Sequence, residues 1–422
     1  MRKLIIAATI LAPATALAGG YLIPSMDPRD LALGGSSVAD AQGAGAVSLN
    51  TAALAGPEGL DVGGALGAIN NSTDWKNGSD KASQSQVGTP PSVAASYGMK
   101  LPKDQALGFG VGFGVPGGGA IKWPDGWAGQ ETFQSVNQQI FGISAGVGFQ
   151  ALPGLKFGVS YVRFQATEEI HQKLNYLDHL GDAGIATAGG GNTFGIATEL
   201  RVPNVPLSVG VTYLHTASLD LTGHVHFTDV PPSFQTLLHD QGVTRTLLIP
   251  DVVFVGAAYE VIPNLKLMAA FSWEHWSDYK ADTFTGTDRI MNADGTTSQF
   301  SASVPRNDSD ATVYRIAAEY AHLGARELTV RGAVLRSISG QNTATLSPSL
   351  TDANSWAISV GAGYAISHNL SVAAGLQVAI FDEITADVMP DTFQGTYNTH
   401  VFLGSVGVNW RTDLGLNRAP AK

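Results

Sequence analysis

Apolar residues alternate with glycine or polar residues along much of the chain. In the clearest run, Leu107 to Val115, a glycine separates each apolar side chain from the next. Further runs of the same kind begin near Phe141, Leu155, Leu207, Trp356 and Leu370. A period of two residues is the pattern of a β-strand with one apolar face. The chain is therefore predicted to be all-β.

The second face of these strands separates two kinds of β protein. It carries Gly and Ser far more often than Lys and Glu, whereas a soluble β-sandwich turns charged groups to water. The apolar face carries Phe, Tyr and Trp near strand ends, as in the aromatic girdles of membrane barrels. Charged residues make up 14% of the 422 residues, against roughly 25% in an ordinary soluble domain. A transmembrane β-barrel is therefore favoured over a soluble sandwich.

The spacing predicts fourteen antiparallel strands. They begin near Leu60, Ser92, Leu107, Gln138, Leu155, Asn192, Leu207, Thr244, Leu265, Phe300, Leu328, Ser355, Leu370 and Thr396. Long polar segments are expected at 70–89, 117–137, 171–191, 228–242, 286–298, 340–352 and 385–395. Short turns separate them in strict alternation. Long outer loops, short periplasmic turns and an even strand number are typical of outer-membrane barrels.

The two ends of the chain lie outside this pattern. Residues 1–18 are predicted to be a signal peptide, because Arg2 and Lys3 precede an apolar stretch that ends in a small-x-small cleavage site. Residues 19–57 are small and polar without sustained alternation, so we expect a hatch, or plug, inside the barrel. The barrel itself is expected at 58–412 and a tail at 413–422.

Composition narrows the chemistry. The chain has no cysteine, which excludes thiolate metal sites, disulfides and cysteine nucleophiles. A formal net charge of −11 disfavours nucleic acid as a partner. Gly142–Gly146 fits a serine-hydrolase motif and Gly112–Gly117 a dinucleotide motif, but neither precedes a helix. His224 and His226 lack a third metal ligand nearby. We therefore expect no metal, no cofactor and no catalysis.

Bulky apolar residues at inward positions suggest a ligand site in the lumen. They are Phe164, Phe254, Met268, Leu335 and Leu403. An ordinary porin lines its pore with charges and water, so these residues favour an apolar ligand. Packing against the hatch is the alternative, and both interpretations stay open.

Inward cations are candidates for binding an anionic head group. Arg315 and Arg331 lie on neighbouring predicted strands, and a buried fatty carboxylate needs such a partner. The alternative is an Arg–Glu network with Glu199, Glu274 and Glu319.

The predicted outer loops carry apolar side chains that could capture ligand. These are Trp123, Trp127, Leu174, Tyr176, Leu177 and Leu180. Exposed apolar groups mark binding surfaces. Alternatively, these residues fold back as lids or lie at the level of the lipid head groups.

Three stretches resemble the FadL-type family of outer-membrane transporters for long-chain fatty acids and other hydrophobic compounds. Residues 31–56 resemble the family's hatch signature, with Thr51 where the family has proline in the motif that begins at Asn50. Residues 248–279 are similar to a late strand pair that ends in a Trp-Ser motif, here Trp276-Ser277. Residues 395–410 resemble the terminal strand, although such barrels usually end on an aromatic residue and this chain continues past Trp410.

The resemblance implies a fourteen-stranded barrel in the outer membrane of a Gram-negative bacterium, with a hatch in its lumen. Ligand would enter near the outer loops, pass to a lumen pocket and leave through a sideways gap in the wall. Asn50, Thr51 and Ala52 would lie at the junction of hatch and barrel, where Thr51 lacks the fixed φ of proline. We expect the gap near Gly110 and Gly112, since glycine lets a strand bend. The expected partners are a hydrophobic small molecule and membrane lipids, with the chain as a monomer.

Passive uptake of long-chain fatty acids or other hydrophobic molecules is the favoured function. A structural or partner-binding barrel is the main alternative. A surface lipase or protease is less favoured, because it needs a catalytic group at the loop rim that the sequence does not assemble.

Overall fold

The computed structural model describes residues 22–23, 25–236, 238–291, 296–323, 327–387 and 393–412. The predicted signal peptide and the predicted tail lie outside these residues. None of the helices within them is long and apolar enough to cross a membrane.

Twenty ladder segments join into one antiparallel sheet. Consecutive segments that continue the same strand after a short interruption are counted together, which gives fourteen strands. The first strand pairs with the last and closes the barrel. The predicted fold class is therefore confirmed. The strands are β1 (Gly59–Asn77), β2 (Asp80–Gly88 and Pro91–Lys100), β3 (Ala106–Lys122), β4 (Ser135–Leu152), β5 (Leu155–Asn175), β6 (Leu180–Arg201), β7 (Leu207–Leu214 and Ala217–Phe227), β8 (Gln241–Ile249 and Val252–Ile262), β9 (Leu265–Glu274 and Ala281–Met291), β10 (Thr297–Pro305 and Ala311–Tyr320), β11 (Leu328–Ile338), β12 (Ser355–Ala365), β13 (Leu370–Phe381, continued by Ile384–Thr385) and β14 (Thr396–Thr412).

Several strands are longer than predicted. Most of segment 70–89, expected as a loop, is a hairpin in which β1 runs to Asn77 and β2 begins at Asp80. The expected loop 171–191 is likewise mostly the paired ends of β5 and β6. These extensions are polar on their outer faces, so the alternation of apolar residues ends before the ladder does.

The apolar face of the strands points out of the barrel. Phe109, Ile143, Val159, Trp356 and Val406 are all exposed there. In the outer membrane this face meets lipid, which explains why apolar residues are exposed along nearly every strand.

Residues 25–57 lie inside the barrel and are here called the hatch. They contain the helices α1 (Pro28–Ala32) and α2 (Ala46–Leu49) and two 3₁₀ helices, Ser37–Ala39 and Thr51–Ala55. The side chain of Asp27 caps α1 by accepting a hydrogen bond from the amide of Asp30. Helices this short are not stable alone, so contacts with the wall hold the hatch in place.

Candidate functional site

Inward-facing glycines bring the hatch and the wall together. Gly98, Gly108, Gly148 and Gly158 lie on four consecutive strands, β2 to β5. A Cβ atom at any of them would overlap backbone atoms of the hatch between residues 51 and 57. Glycine is the residue that permits such close backbone approach. The glycine-rich strands therefore form a seat for the second 3₁₀ helix of the hatch.

Asn50 joins the hatch to itself and to the wall. Its Nδ2 donates to the carbonyl oxygen of Val38 at 2.7 Å and to that of Thr198 on β6 at 3.1 Å. Its Oδ1 accepts a hydrogen bond from the amide of Ala52 at 3.1 Å. The side chain is fully buried, so all of its hydrogen bonds are made within the protein. The resemblance placed Asn50, Thr51 and Ala52 at this junction, and all three lie there.

An ionic cluster holds α1 against the opposite wall. Arg29 of the hatch pairs with Asp40 at 2.8 Å and with Glu319 on β10 at 3.0 Å. Arg331 on β11 pairs with the same Glu319 at 2.6 Å, and Lys266 on β9 pairs with Asp40 at 2.8 Å. Arg331 therefore belongs to the Arg–Glu network that was the alternative to carboxylate binding.

Arg315 differs from Arg331. Its Nη1 donates to the hydroxyl of Ser272 at 2.9 Å, and its guanidinium lies over the ring of Phe254, 5.2 Å from the centroid. Among the described residues, no carboxylate oxygen lies within 4.0 Å of it, and its Nε has no hydrogen-bond partner. Arg315 is therefore a half-buried cation without a direct ion pair, although Glu274 and Asp30 lie near enough to interact with it electrostatically. It stays a candidate for holding an anionic head group.

Four of the five predicted apolar lining residues divide between two clusters. Met268, Leu335 and Leu403 pack with hatch residues such as Met26 and Leu31. For these three, the contacts are with the hatch. The side chain of Phe164 lies in a separate cluster nearer the outer loops, formed mainly by wall residues.

Strands β2 and β3 are paired over only part of their length. Residues 93–100 of β2 pair with residues 106–113 of β3. Beyond this point the segment Asp80–Gly88 pairs with β1, and residues 114–122 pair with β4 across a bulge. No ladder joins these two segments to each other within the described chain. The exposed outward side chains of Val87 and Phe113 flank the lower end of this seam.

The seam lies beyond the glycines that were expected to form it. Gly110 and Gly112 are paired with both β2 and β4, so the unpaired stretch begins beyond them, at Gly114. A Cβ at either glycine would press on Val47 of the hatch, and at Gly110 also on Leu54. These glycines therefore make room for the hatch, and the unpaired stretch of the wall begins only at Gly114.

A short segment before α1 crosses the inner side of the seam. This strap comprises Leu22, Ile23, Ser25 and Met26. Met26 accepts a hydrogen bond from Ser405 on β14 at 2.6 Å through its carbonyl oxygen. At the other end the amide of Ile23 donates to the carbonyl oxygen of Pro116 on β3 at 2.8 Å, and Leu22 forms a β-bridge with Gly117. Since β1 and β2 lie between β14 and β3, the strap passes in front of both.

Most of the predicted capture residues are covered. Trp123 and Trp127 are 1% and 5% exposed and stack at 4.5 Å between ring centroids. Tyr176 is buried and Leu174 packs against the same aromatic cluster. This arrangement corresponds to the alternative in which these residues fold back as lids. Leu177, by contrast, is 82% exposed on a loop between β5 and β6.

A fully buried ionic cluster closes the lumen above the hatch, and sequence reasoning missed it. Arg245 on β8 pairs with Glu168 on β5 at 2.8 Å and with Asp282 on β9 at 2.5 Å. Asp282 also accepts from Arg306 at 2.9 Å and from the hydroxyl of Tyr279. The inward position of Arg245 within an alternating strand was the available signal. Beside this cluster lies a luminal cavity of only about 10 Å³.

Fold and site together define a class, the outer-membrane β-barrels with a hatch in the lumen. Within it, residues 9–411 match the family described as "Outer membrane protein transport protein (OMPP1/FadL/TodX)", and the chain belongs to this family. The resemblance noted in the sequence is confirmed. The protein is therefore an outer-membrane protein of a family that transports hydrophobic compounds.

Solved structures share the whole fold. A FadL homologue of Pseudomonas aeruginosa is 14% identical with a TM-score of 0.82, and the match covers 93% of this chain and 99% of that one. The toluene transporter TbuX of Ralstonia pickettii is 18% identical, with a TM-score of 0.68 and coverage of 91% and 97%. The toluene transporter TodX of Pseudomonas putida is 14% identical with a TM-score of 0.69, and the match covers 94% of this chain and 99% of that one. At these identities the likeness concerns the fold alone. No curated protein matches the sequence.

Proposed function

We propose that the protein is a passive channel that takes up long-chain fatty acids or other hydrophobic small molecules and releases them sideways into the bilayer. The observation that carries this proposal is the seam between β2 and β3 with the strap across its inner side. A seam without ladder hydrogen bonds would give an apolar molecule a path to lipid that avoids water. No catalytic step is part of the proposal.

The closed state requires movement before ligand can pass. The cavity beside the Arg245 cluster, about 10 Å³, is too small for a ligand, since typical ligand pockets have roughly 300–1,000 Å³. The strap is held by few backbone hydrogen bonds, and weakly held segments are those that open first. Ligand that displaces the strap would clear the inner mouth of the seam.

Two further elements have a part in this route. The exposed Leu177 offers an apolar contact at the rim, while the lid residues Trp123 and Trp127 would move to admit ligand. Inside, Arg315 would hold an ionised carboxylate if the ligand is a fatty acid. Phe254, beneath the guanidinium of Arg315, would contact the part of the fatty acid's hydrocarbon chain nearest the carboxylate.

The test is to lock the strap across the seam. Residues that face each other across an antiparallel bridge have Cα atoms about 4.5–5.5 Å apart, within the range that a disulfide spans. The chain has no other cysteine, so Leu22→Cys with Gly117→Cys would give one defined crosslink. Oxidised cells should lose uptake of labelled fatty acid and of labelled toluene, and reduction should restore it.

The single variants Leu22→Cys and Gly117→Cys are the matched controls and should transport under both conditions. Unchanged uptake by the crosslinked protein would overturn lateral release past the strap. Absence of uptake by the wild type for every hydrophobic probe would favour a structural or partner-binding barrel.

A further inference from the structure

Two side-chain amides on the inner wall lack hydrogen-bond partners. Asn71 on β1 and Gln84 on β2 are 4% and 5% exposed. Neither the oxygen nor the nitrogen of either amide has a partner among the described residues. Buried amides in folded proteins are nearly always hydrogen-bonded. Their partner therefore lies outside the described residues, and water or a bound molecule would satisfy them.

The two amides share one face of a paired hairpin. Gln84 lies opposite Thr73, and Asn71 lies opposite Gln86, so Asn71 and Gln84 are diagonal neighbours about 7–8 Å apart. The hydroxyl of Thr73 is 3.1 Å from that of Thr399 on β14. The hydroxyls thus find partners across the ladder while the amides do not.

This hairpin borders the seam. Gln84 belongs to the segment Asp80–Gly88, whose second edge has no ladder partner among the described strands. Molecules that leave the lumen through the seam would pass directly beside this face. The amides are therefore placed at the exit.

The patch carries no charge. Inward positions on this part of β1 and β2 are Ile69, Asn71, Thr73 and Trp75, and Ala82, Gln84 and Gln86. A neutral site does not compensate the desolvation of an ionised carboxylate. Each amide presents both a donor and an acceptor, which matches a neutral group that also does both. A hydroxyl, as an alcohol or within an un-ionised carboxylic acid, has this property.

We propose that Asn71 and Gln84 bind the hydroxyl of an un-ionised amphiphile, a long-chain alcohol or a protonated fatty acid, as it passes to the seam. This rests on the proposed function and names the ligand class that the exit favours. A pure hydrocarbon offers the amides nothing and gains no advantage there. The site thus selects compounds with a polar end over hydrocarbons of the same length.

The test compares two probes that differ only in the hydroxyl. Cells that express the protein are given labelled 1-dodecanol or labelled dodecane. The double variant Asn71→Leu with Gln84→Met keeps the side-chain volumes and removes the amides. We expect dodecanol uptake to fall about tenfold, as for loss of one or two good hydrogen bonds, with dodecane uptake within about twofold of wild type. Asn70→Leu, on the same strand with its side chain on the outer face, should change neither.

Each other outcome has a definite meaning. Unchanged uptake of both probes would show that the amides hold only water, and equal loss of both would show a structural role; either result overturns the inference and leaves the proposed function standing. A wild type that carries neither probe would overturn both. Gel mobility with and without heating reports insertion, and Gln84→Met alone carries the same comparison if the double variant does not insert.

Discussion

Asn50 and Thr198 connect the hatch to the barrel wall, with Nδ2 of Asn50 donating to the carbonyl oxygen of Thr198 at 3.1 Å. This bond joins residues that are 148 positions apart. The same amide group donates to Val38 within the hatch. One side chain thus fixes both the internal shape of the hatch and its position in the lumen.

Asn50→Ala should impair transport more than barrel stability. The variant loses three hydrogen bonds of the hatch, each of which contributes about 0.5–1.5 kcal/mol, while the wall keeps its ladders. Uptake of a labelled fatty acid should fall severalfold, with gel mobility before and after heating unchanged. Asn342 caps a 3₁₀ helix in an outer loop through the same bond, to the amide of Ala344 at 3.0 Å. Asn342→Ala is therefore the matched control for loss of a cap alone.

Thr51→Pro tests the same junction in the opposite direction. Thr51 is the first residue of the second 3₁₀ helix, a position that proline favours because its φ is already suitable. The variant should tighten the hatch and at most slow uptake. If Asn50→Ala lost folding and uptake equally, Asn50 would be a structural support and not a residue that serves transport.

The alternation of apolar residues was enough to predict the barrel, because the outward faces of strands such as β3 and β4 meet lipid. The extended hairpins were missed, since β1 and β2 continue as a ladder where the apolar period has ended. The glycine content predicts the seam near Gly110 and Gly112. Pro90 and Pro116 are the better signal for its position, because proline cannot donate to a ladder and marks edges and bulges. The pair of Arg29 with Glu319 spans 290 positions, and no local pattern predicts such a contact.

Gly108→Ala should loosen the hatch. The added methyl would overlap the carbonyl oxygen of Leu54, and such overpacking typically costs about 1–3 kcal/mol. The hatch must shift, so trypsin should cleave faster after the partly buried Arg29. Gly114 lies on the same strand with nothing within 4 Å of its Cβ position, so Gly114→Ala should behave as the wild type. The same cleavage rate in both variants would contradict the seat formed by the glycines.

Arg315→Met should separate fatty acids from hydrocarbons. Hydrogen bonds to charged groups contribute about 1.5–3 kcal/mol, so affinity for a fatty acid should fall roughly ten- to a hundredfold. Affinity for toluene should be unchanged, since a hydrocarbon has no anionic group to lose. Arg331→Met breaks the bond to Glu319 and should weaken uptake of both compounds through the hatch. A similar loss of both ligands in Arg315→Met would assign Arg315 to the same structural role.

We expect His179 to make entry at the outer rim depend on pH. Its Nε2 lies 2.8 Å from the carbonyl oxygen of Asp229, and its Nδ1 lies 2.8 Å from the carboxylate of Asp178. Both nitrogens donate only when the ring is protonated, so these two acceptors raise the pKa of His179 above its usual 6.5. A group whose pKa is raised on folding contributes fully below its unfolded pKa and loses that contribution as the pH rises through the folded pKa.

The bond joins the loop after β5 to the segment that follows β7, whose Val230 and Leu238 pack against the buried aromatic cluster. Above the raised pKa of His179, this cover should open more readily. Entry of an uncharged fluorescent hydrocarbon, followed by stopped flow, should be about two- to fivefold faster at pH 8.5 than at pH 6, a small effect because exposed pairs are weak. His226 lies at the end of β7 and His239 on the segment that follows it, so the decisive comparison is between His179→Gln and wild type. In His179→Gln the hydrocarbon should enter fast at both pH values. In His368→Gln, a change in a short turn, entry should keep the pH dependence of the wild type. A pH dependence of entry that survives in His179→Gln would contradict the role of His179.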